Sequence, residues 1–329
     1  MDSPSQGFGP TAALPTLRLR AELLRRLRQF FDGRGFWEVD TPLLSNDTVV
    51  DRHLDPLSVV LFDDPQRPQA GRTMWLQTSP EFAMKRLLAA GATAIYQVTH
   101  AFRAGERGRL HNPEFAIAEW YRVGDDYEQG MQLLSDLAEE LLRLGPADRC
   151  TYCDAFLAHV GLDPHTASGA ALRSAAERRH LAVPAGWETD DRDSWLELLL
   201  VECIEPHLGR ERPLILCDYP ASQAALAQLR DDQPPVAERF ELYVRGIELA
   251  NGYHELVDPA VLRQRMATAN RQRAADGKFT LPEENRLLAA MSAGLPPCTG
   301  TALGFDRLVL LAAGASQIAE VIPFPVEHA

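Results

Sequence analysis

The chain of 329 residues is nearly half apolar, at 46%, and its formal net charge is −13. This length can bury a substantial core as one large domain, or as one domain with a small insert. The acidic charge argues against a broad, nonspecific grip on nucleic-acid phosphates, although a local basic patch stays compatible with it. The first ten residues lack signal-peptide features and no later segment is apolar over the length of a membrane span, so we expect a cytoplasmic protein with no membrane partner.

Cysteine usage also indicates a reducing compartment. The chain has five cysteines, an odd number in a large protein, which favours free thiols over a disulfide framework. Cys150 and Cys153 have the spacing of a metal or redox pair, but no second Cys/His pair accompanies them in the sequence. We interpret the spacing as a coincidence and keep a structural zinc site as the alternative.

The N-terminal part predicts a tail, a helix and a strand. Residues 1–16 are rich in Pro, Gly and Ser, which is typical of a flexible tail. From Leu17 to Phe31, apolar residues recur at helical spacing and predict an amphipathic helix. Residues 36–40 alternate like a strand, which the following Thr-Pro pair stops.

A second strand and helix follow. Trp75–Thr78 predicts a short strand, and Ser79 followed by Pro80 predicts a helix N-terminus with Ser79 as the capping residue. An acidic residue in the first turn suits such a terminus. Glu81 fits that structural role, and it could also face a cationic ligand.

The stretch from Phe102 to Tyr121 predicts a hairpin. Apolar residues before the stretch and alternating ones at its end predict two antiparallel strands, joined by a long charged loop. The charged and polar side chains of this loop are Arg103, Glu106, Arg107, Arg109, His111 and Asn112. Arginine can clamp phosphate or carboxylate through a planar fork of donors. Taken alone, such a loop is more often a solvated surface.

The middle of the chain predicts an insert. Residues 128–144 have the apolar spacing of an amphipathic helix. From 150 to about 209 the pattern is helical, polar and interrupted by Gly and Pro, which predicts an inserted helical subdomain without recognisable chemistry. Strand character resumes at Leu214–Leu216.

Two later stretches carry candidate ligand-binding residues. Glu241, Glu248 and Glu255 are spaced seven apart in strand-like sequence, and acids there are costly to bury unless they meet a cation, which indicates a metal or ammonium site. Within the same stretch, Asn251-Gly252 predicts a turn or bulge. A small-residue strand at 300–304 then leads into an apolar helix, where Arg307 opposes the helix dipole and should have an anionic partner.

These stretches together resemble the catalytic domain of class II aminoacyl-tRNA synthetases, of the lysyl type. The three motifs of that family are similar to residues 35–42 (GFWEVDTP), 102–115 (FRAGERGRLHNPEF) and 304–307 (GFDR). The lysyl type is indicated by residues 78–81 (TSPE), 237–241 (AERFE) and 246–256 (GIELANGYHEL). The resemblance covers 17–329 and implies an α+β fold, an antiparallel sheet flanked by helices. It also implies a homodimer formed through the first motif.

The resemblance is closest to the elongation factor P (R)-β-lysine ligase family, because only some sixteen residues precede the first predicted helix and leave no room for an anticodon-reading OB-fold domain. It implies ATP-dependent activation of β-lysine with Mg²⁺ and transfer to a lysine of elongation factor P, without tRNA. The alternatives are a ligase that uses α-lysine or another amino acid with a different acceptor, and a synthetase-like binding protein without catalysis. The binding protein is disfavoured because Arg103, Glu248 and Arg307 are all present.

The resemblance assigns roles residue by residue. For catalysis and ATP binding it implies Arg103, Glu106, His111, Asn112, Glu248, Leu249, Gly304 and Arg307. For the amino acid it implies Ser79, Glu81, Glu119, Tyr121, Asn251, Glu255 and Ala302. For Mg²⁺ it implies Glu241 and Glu248.

Two departures from the synthetase pattern bear on these roles. The second motif reads Arg103-Ala104-Gly105-Glu106, so the glutamate expected at the adenine amino group is displaced by one position. Either Glu106 reaches in or backbone groups replace it. Ala302 stands where the synthetases usually have glycine, and we hypothesise that its methyl group favours a β-amino over an α-amino substrate.

Overall fold

The computed structural model describes residues 8–183 and 191–329, and these divide into two compact units. Unit 1 comprises residues 8–123, 257–296 and 302–329, and unit 2 comprises the described part of 124–256 together with 297–301. Each unit contains both helices and strands.

The N-terminal part of unit 1 contains α1 (Leu14–Asp32), β1 (Trp37–Glu38), β2 (Leu44–Ser45), β3 (Ser58–Phe62), β4 (Gly71–Leu76), α2 (Glu81–Ala89), β5 (Ala94–Phe102) and β6 (Glu114–Val123). Unit 2 continues with α3 (Tyr127–Leu142), β7 (Asp148–Thr151), α4 (Tyr152–His159), α5 (Gly169–Arg178), α6 (Arg192–Leu199), β8 (Leu214–Pro220), β9 (Leu229–Arg230), β10 (Val236–Val244) and β11 (Ile247–His254). The chain then adds α7 (Pro259–Ala275) and α8 (Arg286–Gly294) to unit 1, and β12 (Cys298–Gly304) leads into α9 (Phe305–Ala313). None of the helices described is both long and apolar enough to cross a membrane.

The predicted hairpin forms the centre of unit 1. β5 and β6 pair antiparallel along their whole length, from Ala94 opposite Arg122 to Phe102 opposite Glu114. β1 pairs parallel with β5, and a separate small sheet has the order β2-β4-β3. The hairpin prediction is therefore confirmed, and its charged loop connects two long strands.

Helix α1 covers this sheet with the face predicted from its apolar spacing. Leu23, Leu27, Phe30 and Phe31 are buried. The Phe31 ring stacks on Tyr96 of β5 with 4.7 Å between centroids, and it lies 5.2 Å from Trp120 of β6. Aromatic contacts of this kind bury large apolar areas and fix the helix on the sheet.

Some predicted boundaries move. Helix α1 begins at Leu14, three residues before the predicted start, and the backbone N–H of Thr11 donates to Pro323 O at 2.9 Å. The ordered structure therefore begins within the predicted tail 1–16, whose first seven residues lie outside the described chain. Helix α2 begins at Glu81 with Pro80 as its N-cap residue. Ser79 is therefore not the N-cap that the sequence predicted.

Unit 2 is built around a second set of mostly antiparallel strands, in the order β11-β10-β8-β7. β10 pairs antiparallel with β8 and β11, whereas β7 pairs parallel with β8. Helices α4, α5 and α6 form one apolar core with β8 and β10, in which Tyr152 lies 4.8 Å from Tyr219. Helices therefore occupy the region predicted as an insert at 150–209, and the α+β fold class with mostly antiparallel strands and flanking helices is confirmed.

The sequence predicted a turn or a bulge at Asn251-Gly252. The turn is wrong, whereas the β10–β11 register does shift close by, between the pairs Leu242–Ala250 and Tyr243–Glu248. The β10–β11 turn lies at Arg245 and Gly246, whose φ angles are +54° and +75°, and Asn251 and Gly252 lie inside β11. Gly252 is required by space, because a Cβ atom there would lie 2.3 Å from the Phe240 ring. The glycine therefore leaves room for the Phe240 side chain of the neighbouring strand, because no side chain of its own occupies that space.

Candidate functional site

The charged loop of unit 1 is held close to the backbone at its start. The N–H of Arg103 donates to Pro113 O at 2.9 Å, which closes the hairpin beyond the last strand pair. The Arg103 guanidinium lies 4.9 Å from the Phe115 ring centroid, and its Nη1 is 3.5 Å from a carboxylate oxygen of Glu106. The displaced glutamate therefore lies beside the arginine assigned to phosphate and carboxylate, and its contact with adenine stays a prediction.

Helix α9 brings Arg307 to the same loop. Arg307 Nη2 lies 2.6 Å from His111 Nε2, and its Nε donates to Leu110 O at 3.4 Å. Because arginine donates, the imidazole must accept and is therefore neutral. Desolvation and the Arg307 cation lower the pKa of His111 below its ordinary value, which agrees with that protonation state.

The start of α9 is fixed by Asp306. One oxygen of this buried carboxylate accepts the N–H of Ala116 in β6 at 2.8 Å, and the other pairs with Arg20 of α1 at 2.5 Å. Gly304 immediately precedes the helix as its N-cap. The start of α9 is thus joined to the second-motif loop through Arg307 and to β6 through Asp306, all within unit 1.

Asn112 uses both ends of its amide on the backbone. Its Nδ2 donates to Glu114 O at 2.6 Å, and its Oδ1 accepts the N–H of Val326 at 3.0 Å. The side chain is buried. These contacts order the end of the loop and the C-terminal segment, so Asn112 supports the loop whether or not it also contacts a nucleotide.

A buried polar cluster lies on α2 and β6 of unit 1. Lys85 Nζ pairs with Glu81 at 2.5 Å and lies 6.0 Å from the Tyr121 ring centroid, and the Tyr121 hydroxyl donates to Glu119 at 2.7 Å. All four residues are at most 9% exposed. The cluster therefore contains two carboxylates and one ammonium, a composition that suits a ligand bearing positive charge.

Ser79 and Ala302 lie near element ends in unit 1. The Ser79 hydroxyl accepts the N–H of Glu81 at 3.4 Å, and both Ser79 and Ala302 are partly buried. A cavity of about 650 Å³ in the same unit is lined by Thr78 and Ser79 on one side and by residues of the 40–49 segment and α8 on the other. Arg103 and Arg307 do not line it.

In unit 2, the buried carboxylate of Glu241 accepts hydrogen bonds from four donors. Its Oε1 accepts from Arg239 at 2.6 Å and Asn251 at 3.1 Å. Its Oε2 accepts from Tyr219 at 2.6 Å and Tyr243 at 2.7 Å. Burial and the Glu241 charge raise the pKa of both tyrosines well above the ordinary value, so they remain donors. Each oxygen thus has two partners, and a metal ion at Glu241 would have to replace some of them.

Further carboxylates surround Glu248. Burial and then the charges of Glu248 and Glu241 raise the pKa of Glu205 to about 7, and burial and Glu241 raise that of Glu197. Such mutual repulsion is what a divalent cation would relieve, and carboxylate oxygens are the ligands that Mg²⁺ prefers. In the described ranges no three His, Cys, Asp or Glu side chains are grouped to hold a metal by themselves.

The remaining residues assigned from the sequence also lie on β11 or follow it. Leu249 is buried, Asn251 is partly buried opposite Glu241, and Glu255 is 1% exposed just after the strand. The cysteines of the Cys150–Cys153 pair are free, and burial raises the pKa of both thiols.

Sequence reasoning missed several residues of these clusters. Lys85 follows Glu81 by four positions, the spacing at which helix side chains meet, so the pair could have been found from that rule. Arg239 and Tyr243 flank Glu241 at positions i−2 and i+2 of the same strand, which places them on its face. Tyr219 comes from a different strand, and no sequence signal links it to Glu241.

Comparison with known proteins identifies the family of the chain. Residues 11–328 match the family model described as tRNA synthetases class II (D, K and N). The chain therefore belongs to this family of class II synthetases. Its curated relatives include proteins named elongation factor P–(R)-β-lysine ligase: that of Salmonella typhi is 47% identical over 97% of this chain and 98% of the relative, and that of Salmonella arizonae is 46% identical with the same coverage. The resemblance identified from the motifs is confirmed.

Proposed function

We propose that this protein activates (R)-β-lysine with ATP and transfers it to a lysine side chain of elongation factor P. In the first step, a carboxylate oxygen of the amino acid attacks the α-phosphorus of ATP, and pyrophosphate leaves. In the second step, the ε-amine of the acceptor lysine attacks the carbonyl carbon of the adenylate, an amide bond forms and AMP leaves. Both steps depend on positioned charge more than on a protein nucleophile.

One observation carries the proposal within unit 1. The arginine of the third motif meets the loop of the second motif through the 2.6 Å contact between Arg307 and His111. The arrangement supports binding of a polyanion such as ATP by cations from two different elements. Similarity over nearly the full length of the named ligases supports the choice of substrate and acceptor.

The proposed roles in unit 1 follow from charge. Arg103 would hold the α-phosphate and the amino-acid carboxylate, and Arg307 the γ-phosphate end. Glu106, His111, Asn112 and Gly304 would support the nucleotide. Glu81, Glu119 and Tyr121 would receive the positive charge of the substrate, with Ser79 and Ala302 beside it.

In unit 2 we propose that Glu248 and Glu241 hold Mg²⁺, which when bound supplies charge neutralisation at the phosphates. Leu249 would contact the nucleotide, and Asn251 and Glu255 the amino acid. Glu241 also orients Asn251 through the hydrogen bond between them. We further propose a homodimer formed through the first motif and a cytoplasmic location.

The test is pyrophosphate exchange with (R)-β-lysine and α-lysine side by side, followed by mass spectrometry of elongation factor P incubated with enzyme, ATP and the better substrate. We expect a preference for β-lysine and one added aminoacyl mass on the factor. Exchange without transfer would leave the activation step standing and refute the acceptor. Absence of exchange with every amino acid would refute the enzyme and favour a binding protein.

A matched pair of variants checks the assigned charge. Arg103→Ala should lower the exchange rate by about a hundredfold or more, because a preorganised charge at the reacting phosphate is lost. Arg107→Ala removes an exposed arginine from the same loop and should leave the rate within about twofold, as expected for a surface charge. Equal losses in both variants would mean that the loop contributes only general positive charge.

A further inference from the structure

Arg273 is the most deeply buried cation of α7, and the proposed catalytic and binding roles do not use it. Its side chain is completely inaccessible to solvent. It donates to Phe279 O at 2.9 Å, to Asp51 O at 2.9 Å and to Leu54 O at 3.0 Å, and its Nη2 lies 2.9 Å from Asp55 Oδ1. A cation is buried this fully only when carbonyls and a carboxylate replace its water, so these contacts specify one position for the segment 51–55.

Lys278 completes the arrangement just beyond α7. Its Nζ lies 2.9 Å from Asp55 Oδ2 and donates to Arg52 O at 3.1 Å. Burial alone would raise the pKa of Asp55, but the adjacent cations Lys278 and Arg273 outweigh it and hold the pKa below the ordinary value. Asp55, Arg273 and Lys278 together form what we term the Asp55 cluster.

The Asp55 cluster leads directly to the charged loop. The backbone N–H of Ala104 donates to the backbone O of Asp55 at 2.7 Å. Ala104 follows Arg103, and this bond comes immediately after the one that closes the hairpin at Arg103. The start of the loop is therefore bonded to the backbone carbonyl of Asp55, and the side chain of Asp55 is in turn paired with Arg273 and Lys278.

We propose that Arg273 and Lys278 are positioning residues for adenylate formation, which act through Asp55 and Ala104 to hold Arg103 in place. The inference rests on the proposed function only for the measurement of pyrophosphate exchange, whereas the measurement of loop cleavage does not depend on it. Small displacements of a group that must meet a reacting phosphate lower rates steeply. A segment between β2 and β3, together with the end of α7, thus determines the geometry of the second motif.

The first test measures the loop itself and needs no catalysis. Trypsin can cleave after Arg103, Arg107 and Arg109, and cleavage requires local opening of the loop. Lys278→Met removes one partner of Asp55 without leaving a fully buried charge unpaired, and Asp55→Asn removes the carboxylate. We expect loop cleavage about tenfold faster in both variants, and no change in Asp276→Asn. That control removes the ion pair between Asp276 and Arg52, with distances of 2.8 and 3.0 Å, and leaves the three residues of the Asp55 cluster unchanged.

The second test separates positioning from general stability. Lys278→Met should lower the exchange rate on the order of tenfold with little change in the amino-acid KM. In an Arg103→Lys background the same substitution should cost less than about twofold, because residues that act through one group are not additive. Thermal unfolding of each variant measures whether the protein is folded.

Two results would overturn the inference. One is loop cleavage that is unchanged in folded Lys278→Met, and the other is a loss of exchange that is equally large with and without Arg103. If wild-type protein shows no exchange at all, the proposed function fails, and loop cleavage alone then decides the inference.

Discussion

At the scale of single residues, the candidate site is defined by charges that the fold places against local preference. Arg307 lies in the first turn of α9, where the helix dipole disfavours a cation. His111 meets it as a neutral acceptor across 2.6 Å. Arginine in the first turn of a helix suits binding of an anionic ligand more than it suits the stability of the helix. Substitution of Arg307 or His111 should therefore affect ligand binding.

Substitution of His111 should separate hydrogen bonding from charge. His111→Gln retains an acceptor for Arg307, whereas His111→Leu does not. We expect the KM for ATP to rise about fivefold in His111→Leu, as for the loss of one hydrogen bond, and to change little in His111→Gln. Steady-state exchange kinetics at pH 8 measure both. Equal effects of the two variants would contradict the acceptor role.

The same residue predicts a pH dependence of stability. The folded-state pKa of His111 lies below that of the unfolded chain, so its contribution to stability is present above the unfolded value near 6.5 and is lost as the pH falls through the folded value. Relative to His111→Gln, the wild-type melting temperature should therefore decrease between pH 7.5 and 5. Thermal unfolding of both proteins across this range measures the difference, and a constant difference would show that His111 does not titrate with folding.

At the scale of elements, the packing of β11 requires a glycine at position 252. A Cβ atom at Gly252 would lie 2.3 Å from the Phe240 ring of β10 and 2.7 Å from the Thr301 hydroxyl. Phe240 is paired with Gly252, and the next pair along the two strands is Glu241 with Asn251. The Phe240 ring therefore fills the space over Gly252 next to the pair of site residues.

Gly252→Ala should destabilise unit 2 by about 1–3 kcal/mol, the usual range for overpacking. In a Phe240→Leu background the added methyl group has more room, so its cost should be smaller than in the wild type. Chemical denaturation of the four proteins gives the coupling directly. If the two substitutions changed the free energy of unfolding additively, the cost of Gly252→Ala would not arise from contact with the Phe240 ring.

These elements also show how far sequence could lead. Helix α1 follows from periodicity, because its apolar face is the buried one, and the β5–β6 hairpin follows from two apolar stretches that flank a charged loop, although β6 is buried on both faces from Ala116 to Tyr121. The turn prediction at Asn251-Gly252 fails because a glycine needed for close approach and a glycine needed for backbone conformation look alike in sequence. The four donors around Glu241 could not be foreseen together, because Tyr219 reaches it from β8 through strand pairing. Residue types near the site were recognised by motif, and their hydrogen bonds required the fold.

At the scale of the whole molecule, the first motif (residues 35–42) carries the prediction of a homodimer. Phe36 is buried, but the next residue, Trp37, is 56% exposed, and Leu43 is 41% exposed. β1, which carries Trp37, stands at the end of the strand order in the described chain and has two residues. An exposed aromatic residue on an edge strand of the first motif is a candidate contact for a partner chain.

We therefore expect sedimentation equilibrium to give twice the chain mass of 36.5 kDa at micromolar concentration. Trp37→Glu should weaken the dimer by at least about tenfold, because a buried aromatic anchor is replaced by a charge. Phe62→Ser is the matched control, since Phe62 is 42% exposed but lies in the separate small sheet, and it should leave the mass unchanged. A monomeric mass for the wild type, or equal weakening in both variants, would contradict a dimer formed through the first motif. Loss of exchange in monomeric Trp37→Glu at constant fold would further show that activation requires the dimer.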